Sequence, residues 1–152
     1  MQRLSEALQA AGEPGFVGVA SEESDPPDSV AVTPEGERVA VEVTELVDQR
    51  MAAEGQRRPG RHRDWSPEDT ISRIQEIIDS KDLKCTGLKM YSRVLLLIHT
   101  DEMSLQGYAG DEVLAKVRDH VFRTPKNIDE AILLVSYDPR VRTYPYVRLK
   151  TA

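Results

Sequence analysis

Two carboxylates and the residues spaced around them are the first candidates for chemistry. Asp28 opens a run of β-formers, Ser29-Val30-Ala31-Val32-Thr33, and Glu42 sits in a second run, Arg38 to Leu46, across the turn Pro34-Glu35-Gly36-Glu37. β-Branched residues on both sides of a four-residue Pro/Gly turn predict an antiparallel hairpin. Alternate strand residues point the same way, so Glu42 and Thr44 share one face, and Val39, Val41 and Val43 form an apolar opposite face. A helix following the hairpin ought to cover the Glu42 face. An ionised carboxylate there needs a cation, strong donors or open water. A carboxylate from each of two adjacent strands is also how a hard divalent ion is held, with water and phosphate oxygens completing the octahedron.

The following helix offers the cation. Ser66-Pro67-Glu68-Asp69 reads as a helix start: Ser as N-cap, Pro at the first helical position, and acids near the positive end of the dipole. Ile71, Ile74, Ile77 and Ile78 fall at the spacing of one buried face, and the helix should run to about Lys84, ending before Gly87. Lys81 lies three residues after Ile78 and seven after Ile74, so it extends that apolar stripe. A lysine so placed either snorkels to water or meets a carboxylate. Lys84 and Lys89 lie nearby.

The remaining elements must position this pair. Arg3 to Ala11 predicts a short helix ended by Gly12 and Pro14, and Phe16 to Val19 a weak strand before a polar, acidic loop over Ser21 to Pro27. Arg93 to Thr100 is apolar through its middle, which implies cover on both faces and a central, parallel strand. Asp111 to Phe122 predicts a second amphipathic helix with Val113, Leu114, Val117 and Val121 inward. Ala131 to Tyr137 follows as a buried strand and Thr143 to Lys150 as an alternating edge strand. The order α-β-β-β-α-β-α-β-β predicts an α/β fold, a mixed sheet with flanking helices.

The chain's 152 residues suit one domain over 1–152, and its apolar runs fall far short of the ~20 residues a membrane helix needs. Residues 1–15 carry no secretion-signal pattern, and the single cysteine, Cys85, forms neither an intramolecular disulfide nor a thiolate zinc site. The expectation is a soluble protein of a reducing cytoplasm. The net charge of −6 argues against a nucleic-acid coat protein, yet it is uneven. Residues 50–63 carry +4, through Arg50, Arg57, Arg58, Arg61 and Arg63 against Glu54. Residues 139–152 carry another +4, which leaves the rest at −14. The 48–64 stretch predicts a long basic loop, either a solvated surface or a phosphate-backbone contact through Arg57, Arg58, Arg61, Arg63 and Lys84.

Other residues point elsewhere. His62 among arginines reads as solvated, and His99 at the end of a buried strand as structural. Cys85 reads as a small apolar filler. Trp65 can staple the helix entrance or stack on a base. Tyr144 and Tyr146 with Arg148 and Lys150 can form a stacking platform on the C-terminal strand, or simply keep an edge strand soluble. No Ser or Cys triad signature and no glycine-rich phosphate loop is present.

The stretch Asp25-Pro26-Pro27-Asp28, followed after the hairpin turn by Val41-Glu42-Val43-Thr44-Glu45-Leu46, resembles the motif of the PD-(D/E)XK nuclease superfamily, the restriction-endonuclease-like fold. In that family a Pro-Asp pair and a Glu-x-Lys on the next strand bind Mg²⁺ and position the hydrolytic water on an αβββαβ core. The resemblance covers roughly residues 1–100, leaving the C-terminal helix and strands as additions. It implies Asp28 and Glu42 as ligands of Mg²⁺ or Mn²⁺, the carbonyl of Val43 as a third, and Glu6 where many members place a further acid. Thr44 stands at the lysine position, and a neutral hydroxyl cannot supply that positive charge. Some members carry the lysine on the next helix, which makes Lys81 the catalytic candidate beside Asp28, Glu42 and Thr44. The resemblance implies a metal-dependent nuclease. The alternative is an inactive relative that binds nucleic acid or protein, and a homodimer through the apolar sheet edge is compatible with either.

Overall fold

The structure, a computed structural model, describes residues 1–21, 23, 25–47 and 65–152. The stretch 48–64, with Arg57, Arg58, Arg61, Arg63 and His62, lies outside the described residues.

Helix α1 (Gln2–Ala10) buries Leu4, Ala7 and Leu8. Strand β1 (Gly18–Ser21) starts two residues later than the sequence suggests, because the Phe16 N–H donates to Ser5 Oγ at 3.0 Å and ties that residue to α1. The hairpin forms as predicted, from β2 (Ser29–Val32) and β3 (Arg38–Glu45), with Gly36 at φ +87° in the turn, a conformation that favours glycine. Helix α2 (Pro67–Lys84) begins at the Ser66 cap, whose Oγ accepts from the Asp69 N–H at 3.0 Å. Then come β4 (Arg93–Thr100), α3 (Gly107–Asp119), β5 (Val121–Phe122), β6 (Glu130–Val135), β7 (Tyr146–Arg148) and β8 (Lys150–Thr151).

Among the described residues six strands make one mixed sheet in the order β1-β2-β3-β4-β6-β7, and β5 and β8 pair separately. The middle pairs, β3 with β4 and β4 with β6, are parallel, and the outer pairs are antiparallel. Helix cover follows from alternation along the strands. On one face Ala40, Leu96, Ile98 and Leu133 pack with Ile74, Ile77 and Ile78 of α2 and with Val113, Leu114 and Val117 of α3. On the other, Val39, Val41, Leu95 and Leu97 pack with Leu4, Ala7 and Leu8 of α1. Strand β4 is thus covered on both sides, as its continuous apolar run requires. Among the described residues no helix is long and apolar enough to cross a membrane.

The C-terminal third departs from the sequence reading. Helix α3 starts and ends earlier than Asp111 to Phe122. Its first turn holds two glycines, which hide it from propensity. Gly110 is required there, because a Cβ would lie 2.2 Å from the Leu105 carbonyl. At the other end the chain extends at His120, so Val121 is exposed rather than inward, and Phe122 alone enters the core. The edge strand divides: β7 pairs with β6, and β8 turns away to β5. Trp65 is buried in the core beside the start of α2 and offers no open face for a base.

Arg140 fastens the loop between β6 and β7 to α3. Its guanidinium reaches Asp111 at 2.9 and 3.0 Å and Asp138 at 2.6 Å, and lies 4.3 Å from the centre of the Tyr108 ring. Hydrogen bonds from Arg140 hold both carboxyls below the ordinary aspartate value. Such groups contribute stability above the unfolded aspartate pKa and lose it as pH falls through the lowered folded value. Arg140→Met should therefore lower Tm at pH 7, and the gap to wild type should close as pH drops below about 4. Thermal unfolding across pH checks this, and a gap constant with pH would contradict it.

Candidate functional site

The hairpin places Asp28 by register. β2 and β3 pair from Val32↔Arg38 to Ser29↔Val41, and the same register continued would set Pro27 opposite Val43. Proline has no N–H to give, so the ladder stops there. The Asp28 carboxylate takes over and accepts from the Val43 N–H at 2.7 Å. In an extended strand the N–H and C=O of one residue point to the same edge, so the Val43 carbonyl also lies on the Asp28 side of β3.

One residue earlier, Glu42 points to the face covered by α2 and is fully buried, 0% exposed. Lys81 reaches it from α2, with Nζ 2.6 Å from Oε1. The sequence placed Lys81 on the isoleucine stripe, and the structure brings the two together. The end of α2 is fixed by its own contacts. Asp82 accepts from the Asn127 N–H at 2.6 Å, and Gln75 Oε1 accepts from the Arg123 N–H at 2.8 Å. The second carboxylate oxygen, Glu42 Oε2, is buried and has no hydrogen-bond partner among the described residues. A buried acceptor left unpaired is costly, and such an atom is where a ligand would be received.

A third acid completes the cluster, and it is not the expected one. Ligand oxygens of Asp25, Asp28 and Glu42 all lie within 4.8 Å of one another. Glu6, by contrast, is exposed on α1 and accepts from Gln2 at 2.9 Å. Asp25 is held by Lys84, whose Nζ lies 2.8 Å from Asp25 Oδ1 and 3.4 Å from Glu42 Oε1. The Lys84 hydrogen bond keeps the Asp25 carboxyl below its usual range, and the same bond is the main cause of a Lys84 pKa raised to about 12. Lys84 thus contacts the acids directly and is not presented solely as a surface cation. Lys84 lies one helical turn beyond Lys81 on α2, which is the signal for it, whereas no period marks Asp25.

Thr44 is half-buried two residues beyond Glu42, and Lys89 is exposed on the turn after α2. Cys85 is buried at the end of α2, and burial first, then the Glu42 and Asp82 charges, push its thiol up to about 11. That suits a filler and not a nucleophile. On the C-terminal strand the Tyr146 hydroxyl donates to Glu13 at 2.7 Å, and Arg148 pairs with Glu13 and Glu130. These groups are engaged within the chain.

Asp25, Asp28 and Glu42 together could hold a metal ion, and Glu42 Oε2 is a buried oxygen with no partner among the described residues. No family model, no curated protein and no solved structure matches this chain.

Removing Lys81 strands a buried carboxylate, so Lys81→Met should destabilise the fold by about 3 kcal/mol, and the double variant Glu42→Leu/Lys81→Met should recover at least half of that. Urea unfolding measures both. Equal losses in the single and double variants would contradict the pairing.

Proposed function

We propose that this chain is a metal-dependent phosphodiesterase of PD-(D/E)XK-like fold that acts on nucleic acid. The observation that carries the reading is the buried Glu42 carboxylate, held through one oxygen by Lys81 and grouped with Asp25 and Asp28 at the open end of the β2–β3 hairpin. The order α1-β1-β2-β3-α2-β4 among the described residues supports the same reading, since it is the αβββαβ order of that superfamily.

Asp25, Asp28 and Glu42 would hold Mg²⁺ or Mn²⁺, with the Val43 carbonyl available on the same edge. When bound, such an ion supplies Lewis acidity to the phosphate and to the attacking water. Lys81 fixes the Glu42 carboxylate and provides the positive charge that Thr44 cannot, where charge develops on the phosphate. Asp28 is oriented by the Val43 N–H. The arginines at 57, 58, 61 and 63 would grip the substrate backbone through charge.

A second reading, an inactive relative serving as a nucleic-acid or protein interaction module, draws on one observation: Lys81 and Lys84 both pair with the buried Glu42.

The two readings separate in a cleavage assay on single- and double-stranded DNA and RNA with Mn²⁺. The wild type should cut at least one of these substrates, and Glu42→Gln and Lys81→Met should each lower the rate on the order of 10²-fold or more. Cleavage unchanged in Glu42→Gln would contradict the assignment. Absence of cleavage together with retained nucleic-acid binding would favour the module.

A further inference from the structure

We propose that Lys84 is an exchangeable counter-ion that occupies the cation position of the Asp25–Asp28–Glu42 cluster and yields it to a divalent metal. The inference rests on the reading of that cluster as a metal centre and adds how the centre is controlled.

The two lysines that reach the cluster differ in kind. Lys81 lies 21% exposed and contacts the buried Glu42 oxygen at 2.6 Å, so its bond is sheltered and short. Lys84 is 43% exposed, is the last residue of α2, and spans two acids, Asp25 at 2.8 Å and Glu42 at 3.4 Å. Asp25 is itself 67% exposed, and pairs of that exposure are weak because water and salt compete for both partners. Lys81 is therefore a fixed part of the site, and Lys84 is a removable one.

Size and charge set up the exchange. The ligand oxygens of the three acids lie within 4.8 Å of one another, and the Lys84 ammonium touches two of those acids, Asp25 and Glu42. A hard divalent ion holds its oxygens at about 2.1 Å, which brings neighbouring ligands to about 3 Å of each other. While the Lys84 ammonium sits on Asp25 Oδ1 and Glu42 Oε1, a metal received at Glu42 Oε2 must share the cluster with a second positive charge. Three carboxylates against two lysines leave the cluster at −1, and adding a divalent ion with Lys84 still in place would make it +1. Release of Lys84 from the cluster restores balance and frees its ammonium at the exposed rim. The consequence is a raised metal threshold: the site fills only when divalent ion outcompetes the chain's own cation.

Calorimetric titration of Mn²⁺ into the full chain tests this without reference to activity. Lys84→Met should bind Mn²⁺ at least tenfold more tightly than wild type, and Lys84→Gln should behave in the same way. Lys116→Met, which removes an equal charge from the exposed side of α3, should match wild type. Mn²⁺ should also raise the Tm of Lys84→Met more than that of wild type. Binding by wild type and both Lys84 variants with equal affinity, or weaker binding by the variants, would overturn the exchange and leave the metal centre standing. Failure of all of them to bind Mn²⁺ would overturn the metal centre and the exchange together.

Discussion

A carboxylate with no exposure, placed on the apolar face of a sheet, is the constraint around which the rest of the site is arranged. Glu42 cannot remain charged there without a partner, and neither β3 nor β4 supplies a cation, since its neighbours on that face are Ala40, Thr44, Leu96 and Ile98. The cation has to come from the helix that crosses over β3 and β4. The contacts of α2 serve that end: the Ser66 cap sets its start, Ile74 and Ile78 bury its stripe, and Asp82 and Gln75 lock its far half to the 123–127 segment. Lys81 is then delivered to Glu42 as a continuation of the core packing. A buried ion pair of this kind adds little net stability over an apolar pair, so its retention is better understood through what the carboxylate does.

The position of the cluster follows from a second constraint, the end of a ladder. Antiparallel pairing between β2 and β3 stops where Pro27 would have to donate, and beyond that point β3 has no β2 partner. Asp28 satisfies the N–H of that edge, and the carbonyl beside it is left on the same side. Asp25 folds back to within reach, and Lys84 closes the rim. The acids therefore gather at the end of the β2–β3 ladder.

The hairpin, α2 and β4 were legible in the sequence because each carries a strong local signal: alternation around a Pro/Gly turn, a capped helix with an isoleucine stripe, and an unbroken apolar run. Lys81 was legible for the same reason, as a charged residue on an otherwise apolar stripe. Asp25 was not, because its place depends on how an irregular loop folds back on the end of a helix 59 residues later. The use of Tyr146 and Arg148 was equally hidden, since their partner Glu13 lies 133 and 135 residues away and no period encodes such a contact. The early start of α3 was masked by Gly110, which is present for a close backbone approach and lowers the apparent helix propensity of the turn that needs it.

Anomalous diffraction from crystals grown with Mn²⁺ tests the central claim, that the buried Glu42 carboxylate organises a metal centre with Asp25 and Asp28, most directly. The expected result is one manganese peak within about 2.2 Å of carboxylate oxygens from all three acids, with Lys81 still on Glu42 and Lys84 withdrawn. Crystals soaked at millimolar Mn²⁺ that show no peak there, with Lys84 unmoved between Asp25 and Glu42, would contradict it.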